Sequence, residues 1–366
     1  MLKSELFHRG WMFALTDSLE IPDKETDWRE VRLPHDWSVD YTLSEDAVSC
    51  GSGGYVRTGI GWYRKTWRME RGDAPHVSLL FDGVYMHATV FLNGTPACEH
   101  IYGYTPFTVD LSEIPQGQEI EVLVRVDNSH QPGSRWYSGS GIIRPVWLQT
   151  AGENRFSQDG LFVWTRKDNE GAAICIRSSV LRRCKGKIRY TLLSPTGGTV
   201  RTVISQLDEN KDDQDLKLEM QDPCLWDVDS PQLYTIQADL LDETGNVQDT
   251  LTTRFGIRDV RIDNTQGLIL NGRKTILRGV CVHHDGGCVG AAASPLIWRR
   301  RFEILREMGV NAIRFSHNPP MKELLDLCDE MGLLVMDEAF DEWRIMKSKA
   351  FGSNTHASRG YSEWFD

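Results

Sequence analysis

The sequence predicts a multidomain protein: two β-sandwiches followed by the start of a parallel βα domain. Three observations predict it. Short apolar runs with period-two alternation fill residues 1–258, and helical periodicity is nearly absent there. Within 151–258 turn residues interrupt the runs about every ten positions, the spacing of an immunoglobulin-like β-sandwich. From about residue 259 the grammar becomes strand–helix–strand–helix–strand with short connections, which means parallel βα units.

In residues 1–150, HVSLLFDGVYMHATVFLNG (76–94) carries apolar runs that end in Asn93-Gly94, a strong hairpin signal. YTPFTVDLSEI and QEIEVLVRVDNS continue the pattern. In residues 151–258 the strands are GLFVWTR, AAICIRSSV, KIRYTLLS, TVRTVIS, LYTIQADLLD and TLTTRFGIR, while ENKDDQDLKLEMQDP reads as a charged, solvated loop. CGSGGY (50–55) has no helix after it and reads as a flexible loop rather than a phosphate cradle. In residues 259–366, KTILRGVCVHH is a strand, PLIWRRRFEILREMG a helix ending at Gly309, and VNAIRFSHN a second strand. PPMKELLDLCDEMG is a second helix, with proline in its first turn and glycine after its end, and LLVMDEAFDEW is a third strand.

The bulk numbers narrow the partners. A formal net charge of -11 argues against nucleic acid. No apolar run is long enough to span a membrane. MLKSELFHRGWMF lacks the apolar stretch of a signal peptide, so the cytoplasm is the expected compartment, with the periplasm or secretion as the alternative if a leader has been lost. The eight cysteines include no Cys-x-x-Cys pair and read as free thiols. Twelve tryptophans are a weak pointer to sugar stacking, because tryptophan also serves as plain core. No phosphate loop and no HExxH stands in the chain, and no cofactor is expected.

Parallel βα architectures bind ligands at the carboxyl ends of their strands. The first strand ends in His283, His284 and Asp285, the second in Ser316, His317 and Asn318, and the third in Asp337, Glu338, Asp341 and Glu342. One histidine at a strand end is more often a hydrogen-bonded structural residue than a functional one, and Asp337-Glu338 could cap a helix. Three successive strand ends with ionisable side chains on one rim outweigh that reading.

At these residues the sequence resembles glycoside hydrolase family 2, the β-galactosidase and β-glucuronidase family. The family signature stands here as Asn311-Ala312-Ile313-Arg314-Phe315-Ser316-His317-Asn318-Pro319, followed by Leu324-Leu325, Asp329 and Gly332-Leu333-Leu334-Val335-Met336. Phe315 replaces a usual small residue and Asn318 a usual tyrosine. FHRGWMFAL, VRLPHDWS, GIGWYRKTW and SRWYSGSGIIRPVWL resemble the family's first domain, and LNGRKTILRGVCVHHD the entry to its barrel. The resemblance implies a jelly-roll sandwich over 1–150, the immunoglobulin-like sandwich over 151–258, and over 259–366 about three units of a (β/α)8 TIM barrel. It implies substrate contacts from His283, His317 and Glu338, and from Arg135, Trp136 and Tyr137 on a loop that shapes the pocket. Asp285, where the family varies, and Asn318, where this sequence departs from it, are expected as further substrate contacts from their place at the strand ends. Arg314 is expected to pair with carboxylates inside the barrel. Some magnesium-dependent members carry Glu-x-His after the third strand. Here that triplet is Glu342-Trp343-Arg344, which leaves Glu342 a weak metal candidate and no metal expected.

Retaining glycosidases need two carboxyl groups about 5–5.5 Å apart. In this family they end the fourth and seventh strands, and the acid/base belongs to an Asn-Glu pair. The only such pair here, Asn169-Glu170, lies in a polar turn of the second sandwich. The sequence runs to Asp366, just after the third strand, so both the acid/base and the nucleophile are expected beyond Asp366. The implied activity is retaining hydrolysis of terminal β-D-galactosides, with neither catalytic glutamate within these residues and no turnover expected from them alone. A β-glucuronidase, a β-mannosidase or a non-catalytic carbohydrate-binding module are the alternatives, and a homo-oligomer is left open. The third strand is expected to have an open edge.

Overall fold

The structure is a computed structural model that describes residues 1–341 apart from 132, 135, 168–170, 182–184 and 209. Asn169-Glu170 falls outside the described residues, and so does the stretch from Glu342 to Asp366.

Strands rich in valine, with one face apolar, build the first sandwich. Glu119–Asn128 alternates so that Ile120, Val122, Val124 and Val126 point inward. It lies inside a six-stranded sheet ordered Arg29–Val31, Trp11–Leu15, Gly59–Arg68, Glu119–Asn128, Ala88–Leu92, Thr95–His100. A four-stranded sheet ordered Lys3–Leu6, Val146–Ala151, His76–Phe81, Phe107–Asp110 supplies Val77, Leu79, Phe81, Val109 and Val146 to the same core. The Asn93-Gly94 hairpin forms as expected, with both residues at positive φ, 49° and 80°. Trp11, Trp37 and Trp62 are fully buried, so these tryptophans are core and not sugar platforms.

The second core lies between Arg155–Lys167, Ala172–Leu181 and Asp213–Met220 on one side and Thr199–Gln206, Lys187–Leu193, Tyr234–Leu241 and Val247–Phe255 on the other. The charged loop expected around residue 213 is instead a strand. Asp213–Met220 pairs antiparallel with Ala172–Leu181, turning Leu216, Leu218 and Met220 to the core and Asp213, Asp215, Lys217 and Glu219 to solvent. Its charges are the wet half of an alternating pattern, which a count of charge alone conceals. Cys50–Gly53 likewise forms one helical turn within the segment read as loop.

A small antiparallel meander, Val260–Asp263, Gly267–Leu270 and Arg273–Lys274, precedes the βα part. The strands Gly279–Val282, Ala312–Phe315 and Leu334–Met336 then pair in parallel, in that order. Helices Pro295–Glu307 and Lys322–Met331 cover their outer face, burying Trp298, Phe302, Leu324, Leu327 and Cys328 against Ile313 and Phe315. Burial of each large apolar side chain contributes about 1.5–3 kcal/mol. The second helix begins at Lys322, after rather than within the Pro319-Pro320 pair. Among the described residues Leu334–Met336 pairs on one side only, and Met336 is 58% exposed. The inner face, with Cys281, Arg314 and Met336, borders a cleft of about 790 Å³ opposite Trp164 and Arg258.

The two sandwiches hold opposite ends of this sheet. Ala312 and Leu334, at the strand starts, pack on Trp226 and Val228 of the second sandwich. The strand ends face loops of the first.

Candidate functional site

Period-two alternation and parallel register place Cys281, Arg314 and Met336 in one inward row, one residue short of the rim. Arg314 is the charged member of that row. Its Nε donates to Oε1 of Glu338 at 2.6 Å, and a terminal nitrogen reaches the same oxygen at 2.6 Å. The other terminal nitrogen lies 3.5 Å from Cys281 Sγ. Glu338 Oε2 accepts from His317 Nδ1 at 2.9 Å, and Asp341 stands 3.7 Å from the same nitrogen. Glu338 therefore has both oxygens engaged by protein.

His317 sits 5.8 Å from His283, measured between ring centroids. His283 Nδ1 donates to the Ser316 carbonyl at 2.5 Å. Trp136, from the first sandwich, closes the group. Its ring lies parallel to His283 at 5.9 Å and edge-on to His317 at 5.2 Å. Such aromatic pairs are worth about 0.5–1.5 kcal/mol beyond the area they bury.

Trp136 is held there by a loop anchored on one carboxylate. Asp36 is buried, and its Oδ1 accepts the backbone N–H groups of Ser38 and Ser140 at 3.0 and 2.9 Å. Its Oδ2 accepts the Tyr137 hydroxyl at 2.5 Å and the Ala291 N–H at 2.7 Å. Burial, the negative charge of Asp36 and the bond to it push the Tyr137 phenol well above its ordinary value. Gly139 and Gly290 approach so closely that a Cβ on either would overlap Asp36 Oδ2.

Three more contacts join the first sandwich to the strand ends. Buried Arg144 donates to the Pro319 carbonyl at 2.7 Å, and Tyr102 to the Ala339 carbonyl at 2.7 Å. His284 Nε2 donates to the Ser138 carbonyl at 2.9 Å while its Nδ1 is buried without a partner. Burial pushes the His284 pKa down to about 4, so the ring is neutral at physiological pH. Tyr85, Met86, Tyr104, Ile143 and Ala291 fill the space between these contacts.

Of the residues expected from sequence, His283, His317, Glu338 and Trp136 come together, with Tyr137 one step behind them through Asp36. Asp285 does not join them. Its carboxylate caps the Gly287 N–H at 3.4 Å, and its carbonyl accepts from Arg301. Asn318 is buried, with Nδ2 on the Pro319 carbonyl and Oδ1 without a partner. Burial raises the pKa of Asp337. Arg135, Glu342 and Asp366, the residue beyond which both catalytic glutamates are expected, lie outside the described residues. Among the described residues no group of three His, Cys, Asp or Glu side chains is arranged to hold a metal ion. Sequence reasoning missed Asp36, Arg144 and Tyr102. Asp36 belongs to the stretch VRLPHDWS, but nothing local marks its carboxylate as buried.

Comparison with known proteins shows which family the chain falls in. Residues 260–362 match the profile described as "Glycosyl hydrolases family 2, TIM barrel domain", and residues 162–258 match "Glycosyl hydrolases family 2". A β-galactosidase of Bacteroides ovatus is 39% identical over 98% of this chain and 43% of its own length. A β-glucuronidase of Bacteroides fragilis is 30% identical over 91% of this chain and 49% of its own length. The crystal structure of a glycosyl hydrolase family 2 member from Bacteroides cellulosilyticus superposes with a TM-score of 0.86 at 33% identity, covering 99% of this chain and 48% of that one. The chain spans less than half the length of each of these relatives.

Proposed function

Because the chain belongs to glycosyl hydrolase family 2, we propose that it is the sugar-recognising part of a retaining β-galactosidase-type enzyme acting on terminal β-D-galactosides. We read residues 1–150 as a jelly roll, 151–258 as an immunoglobulin-like sandwich and 259–366 as the first part of the (β/α)8 barrel. The observation that carries the proposal is the group of Trp136, His283 and His317, where a sandwich loop meets two strand ends. An aromatic wall beside two imidazoles suits a sugar, which offers C–H faces and hydroxyl groups together. Acid-assisted departure of the aglycone, a covalent glycosyl-enzyme and its hydrolysis would follow on two carboxyl groups about 5–5.5 Å apart. On this reading both are supplied from beyond Asp366, and Glu338 is already committed to Arg314 and His317.

The second reading is a β-glucuronidase, favoured by the β-glucuronidase relative at 30% identity. Rates for 4-nitrophenyl β-galactoside, β-glucuronide and β-mannoside with the intact gene product decide between them. The galactoside should show the highest kcat/KM. A higher value for the glucuronide would overturn the galactosidase reading.

A further inference from the structure

Each histidine of the site has one ring nitrogen facing a group that only accepts. His283 Nδ1 lies 2.5 Å from the carbonyl oxygen of Ser316, and a carbonyl has no proton to give, so Nδ1 carries one. His317 Nδ1 lies 2.9 Å from Oε2 of Glu338, whose Oε1 faces Arg314 at 2.6 Å. A carboxylate beside a guanidinium accepts on both oxygens, so His317 Nδ1 also carries a proton. A terminal nitrogen of Arg314 lies 3.4 Å from Nδ1, but it is a donor and farther than the carboxylate oxygen. Among the described residues neither Nε2 has a protein partner. His284 is the contrast, since its Nε2 is the atom that donates.

We propose that Glu338 and the Ser316 carbonyl hold His317 and His283 in the Nδ1–H form, so that two adjacent Nε2 lone pairs accept from ligand hydroxyls and disfavour a ligand carboxylate. Glu338 is then a positioning residue acting through His317, not a sugar ligand. The nature of the ligand rests on the glycosidase reading; the tautomers do not. Arg314 supplies the reason that Glu338 must be a carboxylate. In Glu338→Gln a single amide oxygen faces two donors. Arg314, always charged, takes it, and the amide NH₂ turns to His317 Nδ1, which must then be unprotonated.

Ring nitrogen chemical shifts of the ¹⁵N-histidine-labelled protein at about pH 8, above the ordinary imidazole pKa of about 6.5, test this. His283→Asn and His317→Asn assign the signals. The expected result is the Nδ1–H form for both rings in the wild type, with His317 alone shifting to Nε2–H in Glu338→Gln. The Nε2–H form or a doubly protonated ring for His317 in the wild type would overturn the proposal. So would an unchanged His317 in the variant. If the variant does not fold, the wild-type spectrum still decides. The spectra require no turnover, so failure of the galactosidase reading would leave them standing, and a galactosidase with the opposite tautomer would sink this proposal alone.

Discussion

The Tyr137 hydroxyl donates to Asp36 at 2.5 Å, and the oxygen it meets also accepts the backbone N–H of Ala291 at 2.7 Å. One buried carboxylate thus ties the Trp136 loop of the first sandwich to the loop that follows the first parallel strand. Asp36→Ala orphans four donors, each of which costs about 1–3 kcal/mol when buried. Neighbouring losses do not add in full, so a loss of about 3 kcal/mol is expected, or a fall of roughly 10 °C in the first thermal transition. A calorimetric scan showing a fall of less than about 2 °C would refute this role for Asp36.

Trp136 lies on His283 and against His317. Removing the indole releases both rings and opens the site to water. In the intact gene product Trp136→Ala should lower kcat/KM for an aryl β-galactoside about tenfold, the equivalent of about 1.4 kcal/mol. Trp136→Phe should recover most of it. Equal rates for the wild type and the alanine variant would show that the wall plays no part.

His284 adds a pH dependence. Its ring is neutral in the folded protein because burial lowers its pKa to about 4, whereas the unfolded ring titrates near 6.5. Above pH 6.5 both states are neutral and stability is unaffected. As pH falls from 6.5 toward 4 the unfolded state binds a proton that the folded state does not, which removes up to about 3 kcal/mol. Urea midpoints between pH 7 and 4 should therefore fall less steeply in His284→Gln than in the wild type. Parallel curves would contradict the assignment.

The strand ends were legible because parallel βα units announce themselves by alternating period and because their rims hold ionisable residues. His283, His317 and Glu338 were picked out that way, and the fold brings them together. The same logic says less about Asp285, since a residue just past a strand end turns wherever its loop takes it, here toward Gly287. The strand Asp213–Met220 was hidden by its solvent-side charges. Asp36 and Arg144 were illegible for another reason. Their roles depend on partners far away in sequence, Ala291 for Asp36 and Pro319 for Arg144. Nothing local distinguishes them from surface charges.

The 366 residues from Met1 to Asp366 alone should release no nitrophenol from an aryl β-galactoside. Glu338 is held on both oxygens by Arg314 and His317, which leaves it no free oxygen to attack an anomeric carbon. Turnover that disappears in Glu338→Gln would show that this carboxylate does catalytic work after all.

The most direct test of a sugar site at the junction of sandwich and barrel is kcat/KM of the intact gene product for 4-nitrophenyl β-D-galactoside, wild type against His317→Ala. Loss of a hydrogen bond between the ring and the sugar predicts a fall of about tenfold to a hundredfold, with the fold retained. A rate within about twofold of wild type would mean that His317 does not touch the substrate, and that the site lies elsewhere.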